Sequence, residues 1–285
     1  MNQIINVRPQ IEIIYDFMAS GLIHYKRICD FCDSEMVVKH SMYEPKYNYY
    51  WSCSFCQRSK RLGSGSPFSG LNISALDRSI ILWIERANGT ITEKLSGMLN
   101  TQPYFALIRI ATAHYIASRV KPFFKMKNSV AIDETLIGRQ RWGYLGTFPT
   151  LKWAWGIIDL DSRIPMIYHC KSKEHNPLVE MIKRHTLAGC VLYSDSHASY
   201  WNSGSNTSKL TKYGWYHYWI CHMVRFVHEK FGFVHTASIE ITWSNMKKTC
   251  LGLNCHHETA KIEQYLDSFS FRQMFRKECT HAMIL

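Results

Sequence analysis

The chain has 285 residues, with 34 Lys and Arg against 22 Asp and Glu, for a formal net charge of +12. Apolar residues make up 46% and charged ones 20%, which excludes a mainly disordered or collagen-like chain. No run of about 18 uncharged apolar residues occurs, so no membrane span is expected, and the basic excess points to a polyanionic partner, most often nucleic acid.

Residues 1–25 read as an N-terminal segment. MNQIINVRPQIEIIYDF has no basic start, no clean apolar core and no small-residue cleavage site, so it does not read as a signal peptide. An intracellular, reducing setting follows, in which the ten cysteines are not expected to pair as disulfides. The first chemical signal lies in residues 26–62. Cys29 and Cys32 form one Cys-x-x-Cys knuckle, and Cys53 and Cys56 form a second about 20 residues on. A two-residue gap lets both thiolates of a knuckle reach one tetrahedral ion, so this spacing predicts a zinc ribbon holding one structural Zn2+. So small a segment buries little core, and the metal would supply much of its folding energy. Arg58, Lys60 and Arg61 cluster at its end as candidate DNA contacts.

Gly63 to Pro67 punctuates the chain like a linker. Residues 68–122 then show a helix that Asn72 or Ser74 can cap, a short helix within residues 90–100, and a longer helix from Thr101 to Val120 with Pro103 in its first turn. That layout suits a helix-turn-helix-like DNA-binding module, and a plain three-helix packing unit fits it as well. Residues 126–278 alternate differently. Strands are expected at 129–138, across 152–170 as a hairpin, at 190–195 and at 215–224. Helices are expected at 175–189, from Ala237 and from Glu258 to Phe275, with a surface loop at 201–209. An antiparallel start continued by βαβ units gives a mixed α/β layer fold.

Three acids stand out by position. Asp133 lies in the first of these strands, Asp195 ends a later one, and Glu240 lies in the first turns of a helix. Strand ends and helix starts can converge at one edge of a sheet. Three carboxylates there would suit one or two Mg2+ or Mn2+ ions, the chemistry of phosphodiester transfer. The other readings are a polar strand edge for Asp133, a helix cap for Asp195 and a solvated helix residue for Glu240. Glu134 alternates to the other face from Asp133, so the two cannot share a site. Asp159 and Asp161 read as turn formers. Cys250, Cys255, His256 and His257 do not have knuckle spacing.

The strings IDETLIG, YSDSHASY and VHTASIEITWSNMK resemble the three signature blocks of the Merlin-type DDE transposases and their bacterial insertion-sequence relatives. The resemblance also takes in the zinc ribbon, the helical module and Trp153-Ala154-Trp155-Gly156. It departs at Leu136 to Arg139, where the family has an aromatic and two glycines, at Phe233, where a glycine is usual, and at Ala237-Ser238, where an asparagine is usual. The resemblance implies an RNase H-like (integrase-type) catalytic domain at 126–278, with Asp133, Asp195 and Glu240 as a DDE triad holding two Mg2+ or Mn2+. The implied activity is cut-and-paste transposition: metal-dependent cleavage at element ends, then strand transfer. The implied partners are the terminal inverted repeats, target DNA, and further copies of the chain in a dimer or larger assembly. The compartment would be the nucleus in a eukaryote and the cytoplasm or nucleoid in a bacterium. His235 matches the family's VHT, and Trp243 is expected to support the site. Arg139, Arg141 and Lys247 join Arg58, Lys60 and Arg61 as candidate DNA contacts. A domesticated or decayed transposase that only binds DNA, and an RNase H-fold nuclease or resolvase, are the alternatives.

Overall fold

The computed structural model describes residues 9–41, 49–66, 68–69, 71–84, 101–139, 151–170, 175–202, 204–220, 236–249 and 259–275. These fall into two compact units that divide between Ile108 and Arg109. The architecture is mixed α/β, with a four-stranded sheet in the first unit and a five-stranded sheet in the second. No helix among the described residues is long and apolar enough to cross a membrane.

The first unit opens with a helix that the sequence reading passes over. Helix α1 (Gln10–Ala19) follows Pro9 and buries Ile13, Ile14, Phe17 and Met18, a helical spacing. It stops at Gly21, whose φ of +70° suits a left-handed C-terminal cap. Gly21 N–H donates to the Met18 carbonyl and Leu22 N–H to the Phe17 carbonyl, closing the end. The ribbon follows as β1 (Arg27–Ile28), β2 (Glu35–His40), β3 (Tyr49–Cys53) and β4 (Ser59–Arg61), antiparallel throughout and in chain order. Helix α2 (Ile73–Ile84) is capped by Asn72, whose side-chain oxygen accepts from the Ala75 N–H at 3.0 Å, and it packs on α1. The short helix expected within 90–100 lies outside the described residues.

Helix α3 (Gln102–Tyr115) runs on into a π turn, Ile116–Val120, where Lys121 N–H reaches the Ile116 carbonyl. Pro122 has no N–H to continue the ladder. The second unit is built on β5 (Ser129–Arg139), β6 (Leu151–Asp159), β7 (Pro165–Cys170), β8 (Val191–Asp195) and β11 (Tyr216–Ile220), in sheet order β11-β8-β5-β6-β7. Strands β5, β6 and β7 run antiparallel, while β8 is parallel to β5 and β11 to β8. The β6–β7 turn is closed by Asp159, whose side chain accepts from the N–H groups of Asp161 and Ser162. Helix α4 (His175–His185) joins β7 to β8 and buries Leu178, Val179 and Ile182. The 201–209 stretch is not wholly loop: β9 (Trp201–Asn202) and β10 (Thr207–Ser208) pair there as a short hairpin.

Helices α5 (Ala237–Thr249) and α6 (Thr259–Met274) cover one face of this sheet. Ile239, Trp243 and Met246 of α5 and Ile262, Leu266 and Phe269 of α6 pack on Ala131, Ala154, Ile158, Ile167, Tyr193 and Ile220. Cross-strand partners share a face, so Asp133 and Gly156 lie on this covered side, while Glu134 and Trp155 lie on the other.

Candidate metal centres

The first centre is in the ribbon. One sulfur each from Cys29, Cys32, Cys53 and Cys56 lies within 4.8 Å of the others. The Cys29–Cys56 and Cys32–Cys53 sulfurs are 3.5 and 3.4 Å apart. Tetrahedral zinc with bonds of about 2.3 Å sets sulfurs about 3.8 Å apart, so this donor set fits one such ion. The two knuckles repeat one another. Cys29 N–H donates to the Ser34 carbonyl at 2.9 Å, and Cys53 N–H to the Arg58 carbonyl at 2.8 Å. Each turn has a left-handed residue after its second cysteine: Asp33 at φ +55° and Gln57 at φ +58°. The backbone N–H groups of Phe31 and Cys32 pull the Cys29 pKa down. The N–H and hydroxyl of Ser34 take Cys32 to about 6. At Cys56 the Arg58 N–H lowers the pKa, but burial and the other sulfurs outweigh it and raise it to about 12. N–H groups aimed at the sulfurs favour the thiolate form that binds metal.

Of the expected DNA contacts on the ribbon, Arg58 lies over the Phe31 ring at 3.6 Å, Lys60 pairs with Asp30, and Arg61 is an exposed residue of β4.

The second candidate is in the α/β unit. The parallel register of β5 and β8 runs Ser129↔Val191, Val130↔Leu192, Ala131↔Tyr193. Two residues further on each strand are Asp133 and Asp195. They keep the same step and lie on the same face, just where the ladder ends. The sheet order reverses here, because β5 continues to β6 on one side and β8 flanks it on the other. A crevice at such a switch point is where open α/β sheets bind ligands. Helix α5 brings Glu240 to the same cluster. Burial lifts the Asp133 pKa to about 6, and a Trp243 hydrogen bond opposes the shift. The negative charges of Asp195 and Glu240 add to the rise.

Each acid is also held by a neighbour. Trp243 Nε1 donates to Asp133 Oδ2 at 2.9 Å. His197 N–H donates to Asp195 Oδ1 at 3.0 Å, in a turn rather than a helix start. Thr236 Oγ1 donates to Glu240 Oε1 at 2.7 Å. Among the described residues, no three His, Cys, Asp or Glu donors other than the four cysteines gather within 4.8 Å. Two ions about 4 Å apart, with oxygen ligands at about 2.1 Å, span roughly 8 Å, so their ligands need no tighter grouping.

Glu240, Ser244 and Lys247 lie on the exposed side of α5, whereas Trp243 turns inward and is 4% exposed. Arg141 and His235 lie outside the described residues, as do Cys250, Cys255, His256 and His257, and nothing is described of the Arg139 side chain.

Two supports escape the sequence reading. On the far face, Trp155 Nε1 donates to the Tyr200 hydroxyl at 3.0 Å, and that hydroxyl donates to Glu134. Both aromatics are fully buried. Beside Asp195, Ser194 Oγ donates to the Asp195 carbonyl and meets His217 Nε2 at 2.8 Å, while Ser208 Oγ meets Nδ1 at 2.7 Å. Since the Ser194 proton is spent on the carbonyl, Nε2 carries the imidazole proton and Nδ1 accepts. Burial lowers the His217 pKa to about 4, which keeps the ring neutral. A signal for the first existed in Tyr200, five residues after Asp195 in the YSDSHASY block.

No protein-family model matches the chain, and no curated protein matches it. Among solved structures it is similar to a chain from the cryo-EM structure of the simian T-cell lymphotropic virus intasome in complex with PP2A regulatory subunit B56 gamma. The two are 11% identical with a TM-score of 0.33, over 67% of this chain and 60% of that one. At that score the likeness carries no argument.

Proposed function

We propose that the protein is a DNA transposase whose RNase H-like domain uses Asp133, Asp195 and Glu240 for strand cleavage and strand transfer. One observation carries the reading: Asp133 and Asp195 stand in register on adjacent parallel strands at the switch point of the sheet, with Glu240 near enough to perturb Asp133. Three antiparallel strands continued by two parallel ones, with helices packed on the sheet, suit an RNase H-like domain. Mg2+ or Mn2+ held there would activate an attacking oxygen and stabilise the leaving one. The chain supplies the ligands and fixes them: Trp243, the His197 N–H and Thr236 each hold one carboxylate. Lys247, exposed on the Glu240 side of α5, is placed to meet backbone phosphate. The zinc ribbon and the helical module would hold the terminal repeats, and joining two ends calls for a dimer or larger assembly.

The test is cleavage of supercoiled DNA carrying the repeats that flank the gene, with Mg2+ or Mn2+ added or omitted, alongside Glu240→Gln. Metal-dependent nicking at the repeat ends, lost in the variant, is the expected result. Binding without nicking would replace this reading with a domesticated DNA-binding protein. Cutting that follows DNA structure rather than the repeats would replace it with a nuclease or resolvase.

A further inference from the structure

We propose that Trp243 is a positioning residue for Asp133, and that Gly156 exists to admit it. The inference rests on the proposed metal centre and deepens it. Gly156 pairs with Asp133 across β5 and β6. A Cβ at position 156 would stand 2.3 Å from Trp243 Cη2 and 2.8 Å from Cζ2, closer than any real contact. Glycine inside a strand weakens it and marks the close approach of another group. Here that group is the benzo ring of an indole, which fills the notch and is 4% exposed. Seated this way, the indole presents its one polar atom, Nε1, to Asp133 Oδ2 at 2.9 Å. An indole N–H donates and cannot accept, so the bond has one sense only.

Two consequences follow for the site. The carboxylate of Asp133 is held by the Trp243 N–H and by the backbone N–H of Glu134, and its remaining lone pairs are left for a cation. Trp243 also stands three residues after Glu240 on α5. The bond therefore ties the helix bearing the third carboxylate to the strand bearing the first, and sets their separation. Outer partners that orient a metal ligand in this way contribute on the order of 10- to 100-fold in metal affinity.

The experiment uses the full, zinc-loaded chain without DNA. Mn2+ is titrated in and the free ion is followed by electron paramagnetic resonance. The chains compared are the wild type, Asp133→Asn, Trp243→Phe, and a chain with benzothienylalanine at 243. That last residue keeps the shape of tryptophan and puts sulfur where the N–H was. The expected result is loss of Mn2+ binding in Asp133→Asn and a weakening of about 10-fold in the other two. The sulfur isostere should still unfold in a single cooperative step, at a denaturant concentration somewhat below the wild type because a buried carboxylate has lost one donor. On DNA it should lower kcat with little change in KM. Wild-type Mn2+ affinity in a normally folded isostere overturns the positioning role alone. Mn2+ binding that Asp133→Asn leaves untouched, or none in the wild type, overturns the metal centre and this role with it.

Discussion

Asp133→Asn should stabilise the metal-free protein, and by an amount that grows with pH. Burial raises the folded Asp133 pKa from 3.8 to about 6, Trp243 opposes the rise, and Asp195 and Glu240 add to it. A carboxyl whose folded pKa lies above its unfolded one favours folding while protonated, and that contribution is lost as pH rises through the folded value. At 1.36 kcal/mol per pH unit, the distance from 3.8 to about 6 makes the full cost of ionised Asp133 roughly 3 kcal/mol, reached above roughly pH 7. Asparagine does not titrate. Between pH 5 and pH 8, the stability of Asp133→Asn relative to wild type should therefore rise by roughly 1–2 kcal/mol. The assay is urea unfolding of both chains, zinc-loaded and without Mg2+ or Mn2+, at pH 5, 6, 7 and 8. Zinc-site titration affects both chains alike and cancels in the difference. A difference that stays flat with pH would refute the argument that Asp133 is ionised against burial and two like charges. Added Mn2+ should shrink the advantage of the variant, because only the wild type gains from binding the ion.

Three further outcomes are expected. Purified protein should carry one zinc per chain by mass spectrometry of the metal; Cys32→Ser or Cys53→Ser should lose it, and chelation should unfold the ribbon before the α/β unit, as seen by limited proteolysis. Tyr200→Phe takes away the acceptor of the Trp155 N–H and a donor to Glu134 in a buried setting, and should cost about 1–3 kcal/mol in urea unfolding. His217 and His185 should both remain neutral at pH 5.5 by nuclear magnetic resonance. Burial takes each to about 4, so each supports folding above about pH 6.5 and withdraws that support as pH falls toward 4. His217 should be the Nε2–H tautomer and His185 the Nδ1–H one, since His185 Nδ1 faces the Phe124 carbonyl.

The knuckle spacing was enough to place four sulfurs together, because two residues between cysteines leave the chain few ways to present both thiolates. The five strands and the helices bearing Leu178 and Glu240 also stood out, because long apolar runs bounded by turn residues carry a strong periodic signal. Helix α1 escapes the sequence reading, which takes residues 1–17 only against the pattern of a signal peptide, although Gly21 offers its C-terminal cap. Strands β9 and β10 span two residues each, too few for any alternation to show. Trp243 and Ser244 stand three and four residues after Glu240 on α5. At about 100° per residue, an offset of three lies about 60° to one side and an offset of four about 40° to the other. The helix is buried on the first side and open on the second, so Trp243 enters the core while Ser244 meets solvent. Which side is buried depends on the sheet beneath, and no helix pattern contains that. The notch at Gly156 is equally invisible, because it needs a partner 87 positions away in the chain.

Asp133 and Glu134 are consecutive acids with unlike fates. One faces a carboxylate cluster and the other a buried phenol. Strand β5 is in this sense a partition, and its residue count decides which acid stands on which side. Adding one residue between Ser129 and Asp133 would carry Asp133 to the place of Glu134, against Tyr200. Deleting one would carry Glu134 to the place of Asp133, against Trp243. The length of the strand ahead of Asp133 is thus constrained as tightly as its composition, and an insertion there should be worse tolerated than most substitutions.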